Sequence, residues 1–182
     1  MKFDKFFKQY NQSIYDLLNN VDTNLIEHSV SLINNCYNNG GKVYIVGNGG
    51  SSSIASHVSV DFAKVANIPS NTFNNSNLIT CFANDYGHDN WITEAIKAYI
   101  QKNDIIILIS SSGTSVNIVN AAKYSKENSI PLITLSGFSK DNQLSKLGKI
   151  NIHVQSESYN FIEMSHHIIL VSIVDIFAQK LN

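Results

Sequence analysis

The chain changes rhythm near residue 40. Before that point Phe3, Phe6, Phe7, Tyr10, Ile14, Leu17 and Leu18 recur at three- and four-residue intervals. Leu25, Ile26, Ile33 and Tyr37 then line one face of a second segment, Thr23 to Asn39. Both spacings predict helices, the second stopped by Gly40 and Gly41. Beyond it the runs "KVYIVG", "NLITCFAN", "DIIILIS", "PLITLSG" and "INIHVQ" are short, rich in β-branched residues and nearly continuous in apolar character. Such runs read as strands buried on both faces. The segments between them, Ser51 to Ala66, Asp89 to Gln101, Ser115 to Glu127 and a short one near Asn142, supply crossover helices. Strands alternating with helices predict an α/β three-layer sandwich around a parallel sheet. The closing helix, Asn160 to Gln179, is apolar on almost every face, so it is expected to be buried, in part by a second subunit.

Composition narrows the picture. A chain of 182 residues with 43% hydrophobic residues suits one domain with a core. Residues 1–182 read as that single domain, with 1–40 as a helical lead used in oligomerisation. Charged residues make up only 15% and the formal net charge is -1, so nothing advertises nucleic acid or an anionic membrane as a partner. All 13 basic residues are lysine, and an anion here must be held without a guanidinium fork. Cys36 and Cys81 have neither metal spacing nor a disulfide framework and read as buried thiols of a cytoplasmic protein. The start, "MKFDKFFKQYNQS", carries an acid and polar breaks unlike a signal peptide. The longest apolar run, Ile168 to Val174, is too short to span a bilayer.

In open parallel sheets ligands sit beyond the carboxyl ends of the strands, so the turns there carry the chemistry. Gly47-Asn48-Gly49-Gly50-Ser51 follows the first strand. Its glycines admit positive φ and close approach, and a helix starting near Ser51 would aim N–H groups at an anion. Ser110-Ser111-Ser112-Gly113-Thr114-Ser115 sets five hydroxyls around one glycine, again before a helix; one serine would suffice as a cap, and the excess suits phosphate. Ala83-Asn84-Asp85-Tyr86-Gly87 lies between, where Asp85 is either a partner for sugar hydroxyls or an Asx turn. His57 and Asp61 share a helix face at i, i+4 spacing. Glu163, His166 and His167 open the last helix.

The ordered trio "GNGGS", "ANDYG" and "SSSGTS" resembles the sugar-isomerase (SIS) domain, and within it the phosphoheptose isomerases, which act on sedoheptulose 7-phosphate in bacterial surface-polysaccharide heptose synthesis. The resemblance spans nearly the whole chain. It implies a five-stranded parallel sheet of flavodoxin-like order, a homotetramer and sites at subunit interfaces. It implies phosphosugar binding by Asn48, Gly49, Gly50, Ser51, Asp85, Ser110, Ser112 and Ser115.

The catalytic pattern departs from the family's. The family carries a histidine and, four residues on, a glutamate after "GNGGS"; here they are His57 and Asp61. The last helix carries a glutamine and, eight residues on, a catalytic histidine; here they are Glu163 and Val171. These family positions also hold zinc. The stretch "FNNSN" lacks an aspartate the family has there. An aldose–ketose isomerase needs a carboxylate base near C1–C2 and an acid for the oxygens. Asp61 or Glu163 can be the base, and His57, His166 or His167 the acid. No metal is expected, although His57, Asp61, Glu163 and His167 would be the zinc ligands if one bound. The alternative is a non-catalytic phosphosugar sensor or an assembly partner of the replication-initiation adaptor type.

Overall fold

The computed structural model describes residues 2–180. Two helices lead, α1 (Phe3–Asn19) and α2 (Thr23–Asn38). Asp22 caps α2 by accepting from the Asn24 N–H at 3.0 Å, in the manner of a short acidic side chain at an N-terminus. There follow β1 (Val43–Gly47), α3 (Gly50–Lys64), β2 (Ser70–Asn71), α4 (Ser76–Tyr86), α5 (Trp91–Tyr99), β3 (Ile105–Ser110), α6 (Val116–Glu127), β4 (Leu132–Ser136), a 3-10 turn (Leu144–Lys146), β5 (Ile150–His153) and α7 (Tyr159–Lys180). The sheet is parallel throughout, in the order β2-β1-β3-β4-β5. This is the flavodoxin-like order, with its switch point between β1 and β3. The register pairs Gly47 with Ile109, so the turns after β1 and β3 leave the sheet side by side.

The sheet separates two apolar layers. On one face Ile45, Ile107, Ile109 and Leu135 meet α3 and α7 through Ile54, Val58, Phe62, Ile169, Leu170 and Ile173. On the other, Tyr44, Val46, Ile106 and Leu108 meet α5 and α6 through Trp91, Ile92, Ile96 and Ile118. Every residue of β1 and β3 is buried, the two-sided burial expected of a parallel sheet. By length and composition Tyr159–Gln179 could cross a membrane. In this fold its Ile162, His166, Ile169, Leu170 and Ile173 are core residues.

One predicted strand is wrong. "NLITCFAN" is helical and belongs to α4. Asn75 caps it, its Oδ1 accepting from the Asn77 and Leu78 N–H groups at 2.9 and 3.3 Å. Leu78, Ile79, Phe82 and Ala83 form one helical face on the second layer. The actual edge strand is the polar dipeptide Ser70–Asn71. Cys36 is buried as expected, but Cys81, on the outer side of α4, is exposed. The segment near Asn142 is a single 3-10 turn.

Helix α1 has no buried residue, and Phe3, Phe6, Phe7 and Tyr15 are exposed. It is held to the body partly by Tyr10, whose ring lies 4.7 Å from that of Phe161 on α7.

Candidate active site

The turn after β1 is shaped by two glycines. Gly49, at φ 53° and ψ -122°, is the N-cap of α3 and gives it no side-chain cap. Few residues other than glycine hold that backbone. Gly50 lies against the Glu163 carboxylate, and a Cβ there would fall on the Glu163 oxygens. The Ser52 and Ser53 N–H groups bond back to the Asn48 and Gly49 carbonyls at 3.0–3.3 Å, so the Gly50 and Ser51 N–H groups are the ones that stand at the cleft with the positive end of the helix dipole.

The turn after β3 is organised by its own hydroxyls. Ser110 Oγ donates to Ser115 Oγ at 3.1 Å and accepts from the Gly113 N–H at 3.2 Å. Ser115 is the N-cap of α6, yet its side chain makes no cap bond; in the first turn the Ile118 N–H is taken instead by Asn117 Oδ1 at 2.9 Å. Ser112 Oγ accepts from the Thr114 N–H and hydroxyl at 3.3 and 3.1 Å. Asn48 and Asn117 join the two turns by a reciprocal pair of amide bonds, 2.9 and 3.2 Å. Asn117 is buried on α6.

Between the turns lies a cleft of ≈ 210 Å³, lined by Asn48, Gly49, Gly50, Ser51, Ser110, Ser111, Ser112, Ser115 and Glu163, with Tyr159 at its edge. Seven of the eight residues expected to bind phosphosugar therefore come together. The eighth, Asp85, does not. It stands in the last turn of α4, exposed, accepting from Asn84 Nδ2 at 2.8 Å, because the stretch carrying it is helix rather than strand. Ser111, not among those eight, also lines the cleft, its hydroxyl buried in the wall without a partner among the described residues. Being one of five hydroxyls, it had no local mark to single it out. A hollow of ≈ 410 Å³ lined by Ile100, Asp104 and Pro131 lies at the opposite ends of the strands.

The acid–base candidates separate. Glu163 reaches the cleft. One turn further along α7, His167 Nε2 lies 2.7 Å from His57 Nδ1 on α3, the rings edge to face at 4.9 Å. His57 Nε2 lies 3.2 Å from Asp61 Oδ2. Burial pushes the His167 imidazole below its usual range, with His57 adding to the shift and Asp61 opposing it. His166 is elsewhere. It is fully buried and its Nε2 donates to the Ser136 carbonyl at 3.1 Å. Burial drives it down to about 4, the Ser136 bond opposing and His153 adding to the shift. As a core residue it cannot serve as the acid.

The possible zinc ligands do not converge. Asp61 and His167 address opposite ring nitrogens of His57, whose lone pairs diverge, so no single point suits all three. Among the described residues no three His, Cys, Asp or Glu side chains form a metal-holding group. Val171, two turns beyond Glu163, offers no ligand.

Residues 7–137 match the SIS domain. The chain belongs to the SIS-domain family. It is 31% identical over 159 residues to the phosphoheptose isomerase of Colwellia psychrerythraea, covering 83% of this chain and 81% of that one. It is 29% identical over 185 residues to that of Thermodesulfovibrio yellowstonii, covering 95% and 92%. The solved phosphoheptose isomerase of Francisella tularensis superimposes with a TM-score of 0.85 at 26% identity, over 98% of this chain and 97% of that one. In sequence and in fold the chain is thus a sugar isomerase of the phosphoheptose isomerase type.

Proposed function

We propose that the protein interconverts a ketose phosphate and its aldose, with sedoheptulose 7-phosphate as the substrate to try first. The observation that carries this reading is the pairing of a carboxylate with an anion cradle: Glu163 faces a cleft walled by Ser51, Ser110, Ser111, Ser112 and Ser115, at the starts of α3 and α6, whose N-cap residues make no side-chain cap bond. Phosphate sits on the hydroxyls and N–H groups, and the sugar's other end extends toward Glu163. Glu163 takes the C1 proton of the ketose, the electrons pass through a C1–C2 enediolate, and the same carboxyl returns the proton to C2. Meanwhile the C1 hydroxyl loses its proton and the C2 oxygen gains one, which leaves the aldehyde at C1. Asp61, the other carboxylate considered, does not line the cleft and is engaged with His57, which favours Glu163 as the base. No metal enters this scheme.

A tetramer belongs to the same reading, supported by the exposed aromatic face of α1, as does a cytoplasmic enzyme with free access to phosphosugars. The alternative, a phosphosugar sensor, draws on Val171, an apolar residue where the resemblance implies a histidine. Turnover decides between them. The parent should convert sedoheptulose 7-phosphate, and Glu163→Gln should lower kcat by about a hundredfold or more while still binding the sugar phosphate. Binding without turnover in the parent establishes the sensor.

A further inference from the structure

The cleft is built for an anion and offers little to the rest of a sugar. Its walls are glycine backbone, serine hydroxyls, the Asn48 amide and the Glu163 carboxylate. Ile109 also borders it but is fully buried in β3. A sugar phosphate carries, between its phosphate and its carbonyl, a chain of carbons that presents C–H groups as well as hydroxyls. One lining residue answers to both. Tyr159 is the only aromatic side chain on the cleft among the described residues, and it is 57% exposed. Its ring gives an apolar face to C–H groups, and its phenol is a polar tip for a hydroxyl.

Tyr159 is held in place from two sides. It opens α7 four residues before Glu163, so both side chains leave the same face of the helix. Behind it stands Phe138, the two rings tilted by 58° with centroids 4.8 Å apart, a favourable aromatic pairing. Phe138 holds φ at 53°, in the left-handed region that a bulky side chain rarely enters. Its N–H donates to the Ser156 carbonyl at 2.9 Å, and the Gly137 N–H donates to the Ser111 carbonyl at 2.8 Å. The loop after β4 therefore ties the serine turn to the segment that leads into α7. A Cβ on Gly137 would strike Ile162, so the loop lies directly on that helix. Backbone strain of this kind persists only where the surroundings impose it, and it gathers at ligand clamps. Here it keeps an aromatic ring behind Tyr159, in the same frame as the anion cradle.

We propose that Tyr159 is the residue that recognises the sugar. Its ring packs against the C–H groups of the carbon chain, and its phenol shares a hydrogen bond with a sugar hydroxyl. Covering the exposed ring removes apolar surface from water. The cleft thereby selects a sugar phosphate over free phosphate. No bond is made or broken at Tyr159; it holds the chain while Glu163 acts on C1 and C2. The proposal rests on the reading above for its occupant alone, a sugar phosphate with its phosphate on the serine turns.

The test is calorimetric titration of the full-length protein with two probes. Inorganic phosphate reports the cradle by itself. Heptitol 7-phosphate, the reduced form of the seven-carbon ketose phosphate, carries the whole chain and cannot isomerise. Tyr159→Ala should weaken heptitol 7-phosphate by about tenfold or more and leave inorganic phosphate within about twofold of the parent. Tyr159→Phe keeps the ring and should cost about threefold, so ring and hydroxyl are read apart. Tyr159→Ala holding heptitol 7-phosphate within about threefold of the parent overturns the inference and leaves the isomerase reading standing. Equal losses for the two probes also overturn it, because Tyr159 would then shape the cradle rather than touch the sugar. A parent that shows the expected dependence on Tyr159 yet turns over no phosphosugar overturns the isomerase reading and leaves the sugar contact standing.

Discussion

Acidification should unfold this protein through one residue. His166 is completely buried, with Nε2 donating to the Ser136 carbonyl and Nδ1 without any partner. Protonating it would bury both a charge and an unmatched N–H, and its pKa falls from 6.5 to about 4. In the unfolded chain it returns to its ordinary value, so between the two the unfolded state binds more protons and stability rises with pH. The contribution is fully present above about 6.5 and is lost as pH falls toward about 4. A depression of that size is worth about 3 kcal/mol, a large share of the roughly 5–15 kcal/mol that holds a typical domain together. Urea unfolding at fixed protein concentration, at steps from pH 7.5 to 4, reads it directly. His166→Gln keeps a donor for Ser136 and removes the titration. Its stability at pH 7.5 will be lower, but its decline on acidification should be shallower than the parent's by about 3 kcal/mol. Contributions common to parent and variant cancel in the comparison. Parallel curves for parent and variant would show that His166 does not titrate between the two states as the burial requires.

Two further outcomes follow from the cleft and from α1. Ser112→Ala should weaken binding of the sugar phosphate by about 1–2 kcal/mol, the cost of losing a hydrogen bond to a charged group; unchanged affinity by calorimetry would remove Ser112 from the anion site. The exposed Phe3, Phe6 and Phe7 on α1 should be covered by other copies of the chain, so light scattering at micromolar concentration should give a tetramer and Phe7→Lys a smaller species, whereas a monomeric parent refutes the assembly.

The sequence carried the anion cradle further than it carried the acid–base candidates, for a physical reason. The cradle is local: each turn holds its hydroxyls and glycines within six residues, and the strands that set the turns side by side are marked by apolar runs buried on both faces. The same logic explains the missed edge strand. Ser70 and Asn71 have no apolar pattern because an edge of two residues buries almost nothing. Ile79 and Thr80 imitated a strand through β-branching, yet Asn75 as a cap and the spacing of Leu78, Ile79, Phe82 and Ala83 already marked a helix.

His166 and His167 are the harder case. They are neighbours on α7, and successive helical positions differ in direction by about 100°, so one enters the core and the other meets α3. Residue type cannot tell them apart. The phase of the helix can: Ile162, His166, Ile169 and Ile173 recur at intervals of four, three and four residues and are all buried. Glu163 and His167 fall on the adjacent stripe, toward α3. Read this way, the apolar residues of α7 fix which histidine is structural before any contact is known. What no stripe reveals is the partner. That His57 lies 2.7 Å from His167 depends on how α3 and α7, a hundred residues apart in the chain, pack on the same face of the sheet.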